Sequence, residues 1–197
     1  MPISHRPRET ATILKEVADR LNIEQPEEAS ELLRSEYPFE PVQTQSRQYS
    51  PTQSTQLFLR DGFVDRYSGY RLVFPGALRL ISVLLPNDFP YHANWKMSET
   101  HIAFWELSPT VDHIVPVSRG CADSEENWVT TSMLRNSAKA NWTLDELGWE
   151  LHEPGNLSDW DGLIRWFVAY GKAHSNVFAN SLVKTWHSAA EKALRPV

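Results

Sequence analysis

The chain has 197 residues, a length that allows one domain or one domain with extensions, and 41% of the residues are hydrophobic and 22% charged, fractions that are typical of a globular protein. Its 19 basic and 25 acidic side chains give a net charge of −6, which argues against a protein that coats nucleic acid or an anionic membrane by bulk charge. The single cysteine, Cys121, excludes an internal disulfide and any zinc site built from several cysteines.

The first part of the chain predicts two helices followed by a segment with few aliphatic residues. Apolar residues at helical spacing predict a helix over Thr10–Asn22, and Pro26 opens a second helical pattern that continues through Leu33. Residues 37–56 are rich in Gln, Ser, Thr and Pro, a composition that predicts a linker or an extended wrap. We therefore expect an N-terminal helical segment over residues 1–40 and a linker over residues 41–56.

The rest of the chain predicts strands with one buried helix, and then a run of helices. We expect short strands within residues 57–71 and a short buried helix over residues 77–85. Further strands are predicted over residues 102–107, 110–117 and 128–131. Further helices are predicted over residues 132–142, 144–151, 160–170 and 177–194. The expected fold is α+β, with a central module over residues 57–142 and a C-terminal helical segment over residues 143–197.

The stretch Val111–Trp142 carries the residues that suit metal binding and proton transfer. Asp112 and His113 are adjacent in a predicted strand, whereas Asn136 and Lys139 share one face of the predicted helix. Carboxylate and amide oxygens suit a hard divalent cation, and an imidazole with a pKa near 6.5 accepts a proton at neutral pH. Neighbouring side chains of a strand point to opposite faces. The Asp-His pair therefore needs a local twist, or a substrate atom lying between the two side chains.

With DHIVP at the first strand, Gly120 in the loop and Asn127 at the second strand, the stretch resembles the ββα-metal motif of HNH endonucleases. In spacing it is most similar to the HNH domain of RNA-guided DNA nucleases. The resemblance covers about 32 residues and rests on five separated positions that agree in type and order. It implies an α+β fold in which a ββα-metal (HNH) module is flanked by N- and C-terminal helices.

The resemblance also implies a role for each matched residue. Asp112 and Asn136 would bind one divalent cation, Mg²⁺ or alternatively Mn²⁺. His113 would be the general base that takes a proton from the attacking water, and Asn127 would hold the loop so that the imidazole is oriented. Lys139 would contact a phosphate. The implied products are a 5′-phosphate and a 3′-hydroxyl.

The chain departs from many HNH modules because it lacks the four cysteines that bind a structural zinc. The turn Asp65–Gly69 and the segment Ser132–Arg135 stand where those cysteine pairs would lie, so no structural zinc of that type is expected. We hypothesise that Asp65 and Arg135 form an ion pair across the same gap, with Ser68 and Ser132 hydrogen-bonded beside it. The alternative is that both charged residues are solvated and the aromatic core alone stabilises the module.

The charge distribution favours a local site for nucleic acid. The net charge is −3 over residues 1–59, −1 over residues 60–142 and −2 over residues 143–197, so the predicted module is the least acidic region. Its eight basic residues are expected to form a local positive groove, and binding to DNA is expected to be weak and sensitive to salt.

The predicted function is a metal-dependent endonuclease that hydrolyses DNA, with RNA as the less favoured substrate. The alternative is a nucleic-acid-binding or protein-interaction module with a degenerate HNH site, which the missing cysteines and the acidic total favour. Residues 1–20 lack the apolar run of a signal peptide, and no segment approaches the roughly 20 apolar residues of a membrane span. We therefore expect a cytoplasmic location and no membrane partner.

Overall fold

The computed structural model describes residues 8–39 and 49–195, and the chain divides into two compact units at residues 45 and 46. The helices are α1 (Thr10–Asn22), α2 (Pro26–Glu36), α3 (Pro51–Arg60), α4 (Pro75–Leu84), α5 (Ala103–Glu106), α6 (Met133–Lys139), α7 (Leu144–Leu147), α8 (Ile164–Ala173) and α9 (Ser181–Ala193). Strands β1 (Pro109–His113) and β2 (Trp128–Ser132) form a two-stranded antiparallel sheet. The fold is therefore α+β, as predicted. Within the described ranges, no helix combines the length and the apolar character that crossing a membrane requires.

The N-terminal unit consists of α1 packed against α2. The predicted bounds of α1 are confirmed, and α2 begins at Pro26 as predicted but continues to Glu36. Proline at the first helical position lacks only an N–H that would have no partner in the helix. Arg8 forms ion pairs with Glu16 of α1 and, at 2.9 Å, with Glu36 of α2, so one guanidinium links the two helices.

Helix α3 occupies a region that the composition predicts as linker, so that prediction is wrong for residues 51–56. A capping box starts the helix: the Ser50 hydroxyl accepts from the Gln53 backbone N–H at 3.2 Å, and the Gln53 side chain accepts from the Ser50 N–H at 3.1 Å. Thr55, Leu57 and Phe58 are buried, so tertiary packing holds a polar-looking sequence in a helix. Residues 40–48 of the predicted linker lie outside the described residues.

Two strand predictions are also wrong. Residues 57–71 contain the end of α3 and a turn region, with pairing limited to a single bridge between Val64 and Arg71. Residues 103–106 form α5 and bury Phe104 in the core. A short apolar run has no periodicity that separates a strand from one helical turn, and here packing decides.

The core of the second unit is rich in aromatic residues. It contains side chains from helices that precede the two strands in the sequence and from helices that follow them. Phe58 of α3, Phe74 before α4 and Phe167 of α8 are almost wholly buried. The rings of Phe74 and Phe167 lie 5.4 Å apart, and Trp186 of α9 meets Phe74 edge-on at 5.5 Å. The C-terminal helices therefore pack on the same core as α3 and α4.

Two buried carboxylates attach residues 61–66 to β2. Asp61 accepts a hydrogen bond from the Thr130 backbone N–H at 2.7 Å, and Asp65 accepts from the Ser132 N–H at 3.0 Å. Between them, the Arg66 N–H donates to the Thr130 carbonyl at 2.9 Å. We call residues 61–66 the carboxylate clamp. It fixes β2 where the strand leads into α6.

The predicted ion pair between Asp65 and Arg135 is wrong. Asp65 is satisfied by backbone N–H groups and by the Thr131 hydroxyl at 3.0 Å, so this buried carboxylate needs no guanidinium. The Arg135 guanidinium instead lies 5.4 Å from the ring centre of Trp149. Ser132 does not bond Ser68 but caps α6 by accepting from the Arg135 N–H at 3.2 Å. Asp65 is thus linked to the start of α6 through the backbone of Ser132.

Candidate active site

The predicted site residues lie on a β-hairpin and the helix that follows it. β1 pairs with β2 in a register that sets His113 opposite Trp128 and Pro109 opposite Ser132, and α6 begins directly after β2. The Asn136 amide donates to the Thr110 hydroxyl at 3.0 Å, and the Lys139 ammonium lies 3.0 Å from Asp112. Thr110 and Asp112, two residues apart on β1, thus contact Asn136 and Lys139, three residues apart on α6. These two polar pairs dock α6 on β1.

Asp112 lies in a buried polar pocket beneath the hairpin. Its Oδ2 accepts from the Tyr67 hydroxyl at 2.7 Å and faces the Lys139 ammonium. Burial, and then the negative charge of Asp112, raise the pKa of the Tyr67 hydroxyl, so Tyr67 remains a protonated donor. The carboxylate is therefore held by a neutral donor and a cation, both of which are buried.

Lys139 does not suit the phosphate contact predicted for it. Its side chain has no exposed surface, and its ammonium donates to the His113 carbonyl at 2.7 Å besides pairing with Asp112. An ammonium enclosed in this way contacts protein oxygens and does not face a bound nucleic acid. The observed geometry makes Lys139 a positioning residue for Asp112 and for the end of β1.

His113 faces a different group of residues, on the loop side of the hairpin. Its Nε2 lies 2.8 Å from Asp123 Oδ1, and that oxygen also accepts from the Trp128 indole N–H at 2.7 Å and the Tyr49 hydroxyl at 3.1 Å. Partial burial acts to raise the pKa of Asp123, but the hydrogen bonds from His113, Trp128 and Tyr49 outweigh it and lower that pKa.

The ionised Asp123 determines which nitrogen of His113 is available. A carboxylate only accepts hydrogen bonds, so the contact at Nε2 requires the imidazole proton to be there. The lone pair of the neutral ring is then on Nδ1, and no hydrogen bond reaches Nδ1 from the residues that the structure describes. Nδ1 is therefore the nitrogen that can accept a proton.

Asn127 closes the loop between the two strands. Its amide accepts from the Val115 N–H at 3.0 Å and donates to the Val115 and Ala122 carbonyls at 2.9 and 3.2 Å. The side chain is buried, so these three bonds are shielded from water. Gly120 turns the loop at φ +89°, in the left-handed region that favours glycine. The Asn127 side chain thus joins residues 115 and 122 of the loop.

The residues implied as metal ligands offer few oxygens. The Asn136 Nδ2 is taken up by Thr110 and by the Val111 carbonyl at 3.3 Å, which leaves the amide oxygen as the atom that could bind a cation. On Asp112, the bonds described above reach Oδ2, which leaves Oδ1. Within the described parts of the chain, no three His, Cys, Asp or Glu side chains are grouped to hold a metal. The donor type fits Mg²⁺, which commonly takes one or two protein ligands and completes its shell with phosphate oxygens and water.

The predicted positive groove is largely neutralised by acidic partners. Five of the eight basic residues between positions 60 and 142 form ion pairs: Arg60, Arg66, Lys96, Arg119 and Lys139. Arg119, which follows β1 in the loop, lies 3.2 Å from Glu146. Any nucleic acid would therefore be held weakly by charge at this surface.

The sequence pattern does not identify four residues that contact the candidate site: Tyr49, Tyr67, Asp123 and Trp128. Asp123 has a partial signal, because an acid in the loop after His113 is a natural partner for the imidazole. Glu125 and Glu126 lie in the same loop, so spacing alone does not select among the three. Tyr49 is 74 residues from Asp123 and Tyr67 is 45 residues from Asp112, so neither tyrosine carries a local signal.

Comparison of the chain with protein-family models, curated proteins and solved structures finds no match.

Proposed function

We propose that the protein is a metal-dependent endonuclease of the HNH type that hydrolyses DNA phosphodiester bonds. The observation that carries the proposal is the order β1, loop, β2, α6, in which Asp112 and His113 end the first strand and Asn136 of α6 bonds to that strand. Asn127 closes the intervening loop. The resemblance in sequence and this arrangement in space both support Asp112, His113, Asn127 and Asn136, whereas Lys139 is buried and positions Asp112.

In the proposed reaction, His113 accepts a proton at Nδ1 from the attacking water. Asp123 fixes the ring and its tautomer through Nε2 and stabilises the imidazolium that forms, as a positioning residue. Asp112 and Asn136 would hold the divalent cation, which when bound neutralises phosphate charge and stabilises the leaving 3′ oxygen. Lys139 and Tyr67 hold the Asp112 carboxylate in place.

The test is cleavage of supercoiled plasmid with Mg²⁺ or Mn²⁺, with EDTA as the metal-free control. We expect nicking by the wild type, and a loss of about 10²-fold or more in His113→Ala because a general base is removed. His174→Ala is the matched control, since this exposed histidine stacks on Tyr170 in another part of the unit. Thermal unfolding of all three proteins verifies that they are folded.

Two outcomes would contradict the proposal. If the folded wild-type protein fails to nick plasmid in the presence of Mg²⁺ and also in the presence of Mn²⁺, the result would favour the alternative, a binding or interaction module with a degenerate site. Nicking that persists in His113→Ala at the wild-type rate would remove His113 as the general base.

A further inference from the structure

One cavity, with a volume of about 210 Å³, is lined by neither His113 nor Asp123. Aromatic side chains form much of its wall: Tyr91, Trp95, Phe104 and Trp186. Arg79 of α4 also lines it, and Thr110 of β1 and Met133 of α6 close one side. The cavity is therefore apolar and aromatic, with one cationic group in its wall.

Arg79 is half-buried and has no acidic partner among the described residues. Its Nε is buried and makes no hydrogen bond to any described residue, and NH1 donates only to the Ser82 hydroxyl at 3.1 Å. The guanidinium carbon lies 4.4 Å from the ring centre of Tyr91. None of the ion pairs among the described residues includes Arg79, whereas the partly buried Arg66 pairs with Asp61 at 3.3 Å.

A cation in these surroundings attracts an anion. Desolvation lowers the pKa of Arg79, which reflects the loss of water without the gain of a carboxylate. A guanidinium binds a carboxylate through two parallel N–H donors, and no described carboxylate occupies the terminal N–H groups of Arg79, which lines the cavity. The aromatic walls favour a flat ring.

We propose that this cavity binds a small planar anion, an aromatic ring that carries a carboxylate, with the carboxylate on Arg79 and the ring among the aromatic side chains. The volume is below the roughly 300–1,000 Å³ of sites for drug-sized ligands, so a ligand of one or two rings fits. The proposal does not depend on nuclease activity, because His113, Asp112 and Asp123 do not line the cavity.

The test uses benzoate and indole-3-carboxylate as probes. The uncharged indole-3-carboxamide is the control ligand, because it has the same ring without the carboxylate. Binding to the wild type is followed by NMR through the indole N–H signals of Trp95 and Trp186. We expect saturable shifts with a carboxylate, and affinity at least about tenfold weaker for the carboxamide. The proposal fails if neither carboxylate shifts these signals up to about 5 mM, or if the carboxamide binds as tightly as the acid.

Protein variants test the role of the charge independently. Arg79→Met keeps an unbranched apolar side chain and is expected to weaken carboxylate binding at least about tenfold, and Arg79→Lys is expected to retain part of the affinity. Arg71→Met is the matched control, because Arg71 is exposed and lies 5.6 Å from the Trp160 ring outside the cavity lining. Equal affinity in Arg79→Met and wild type would overturn the assignment. If Arg79→Met does not fold, Arg79→Lys and the uncharged ligand still decide the question.

Discussion

Asp112 and His113 are neighbours in β1, but their side chains lie in different surroundings. Asp112 faces two almost completely buried residues, Tyr67 and the Lys139 ammonium. His113 faces Asp123, whose side chain is 31% exposed and belongs to the loop that Asn127 closes. Strand alternation separates the two residues and gives each its own set of partners.

Asp112 is positioned by buried residues from other parts of the unit, whereas His113 is positioned by a loop residue. The partners of Asp112 come from the turn after α3 and from α6, so its position is coupled to the packing of the unit. The main partner of His113 comes from a short loop, so the imidazole can be perturbed without disturbing the fold. Substitutions on the Asp112 side should mainly change stability, and those on the His113 side should mainly change local electrostatics.

The largest expected effect comes from Lys139→Met, which leaves Asp112 buried without its cation. We expect the free energy of unfolding to fall by about 3–5 kcal/mol, because an uncompensated buried charge is costly. Urea denaturation measures it, with the exposed Lys184→Met of α9 as a control that changes stability by about 0.5 kcal/mol or less. Adding Asp112→Asn to Lys139→Met should recover part of the loss. If Lys139→Met alone is as stable as Lys184→Met, the ion pair between Lys139 and Asp112 does not anchor α6.

A smaller effect is expected for Tyr67→Phe, which removes one donor from Asp112 and retains the ring. The expected loss is about 1–3 kcal/mol, since one hydrogen bond to a buried charged group is not replaced by water. Tyr70→Phe is the matched control, because that ring is 72% exposed. Equal stability of the two variants in thermal and urea unfolding would argue against the role assigned to Tyr67.

The smallest effect is expected for Asp123→Asn on the His113 side. Hydrogen bonds lower the pKa of folded Asp123 relative to the unfolded chain, so the carboxylate stabilises the fold above the unfolded pKa of about 3.9. That contribution disappears as the pH falls through the folded pKa. Because the Asp123 side chain is 31% exposed, we expect Asp123→Asn to lower the free energy of unfolding by at most about 1 kcal/mol at neutral pH.

The measurement is the difference in unfolding free energy between wild type and Asp123→Asn from about pH 2 to pH 7. The wild type should be the more stable protein near neutrality, and the two curves should converge in acid. Asp88→Asn, at an exposed position, serves as the control. A difference that grows as the pH falls would have the wrong sign for this account.

The local parts of the site could be predicted from sequence, because they depend on short-range rules. Strand composition indicates β1 and β2, and helical spacing puts Asn136 and Lys139 on one face of α6. The burial of Lys139 could not be predicted, because it involves the ring of Tyr67, which lies far away in sequence. The same spacing is compatible with a lysine that faces solvent.

Helix α3 shows a different reason for failure. Its composition is typical of a linker, and the signal that identifies it is the Ser50–Gln53 capping box with Pro51 between them. The pattern of α5 contains no such signal, because four residues are too few to establish a helical period. The helical conformation of this segment places Phe104 in the core.

The carboxylate clamp has a consequence for association between molecules. A two-stranded sheet offers unpaired N–H and C=O groups along its outer sides, and another chain can pair with them. On β2, Asp61, Arg66 and Asp65 take up the Thr130 N–H, the Thr130 carbonyl and the Ser132 N–H in turn. Strand addition to this side would have to displace two buried carboxylates, so the residues that fix β2 also protect it from edge-to-edge aggregation.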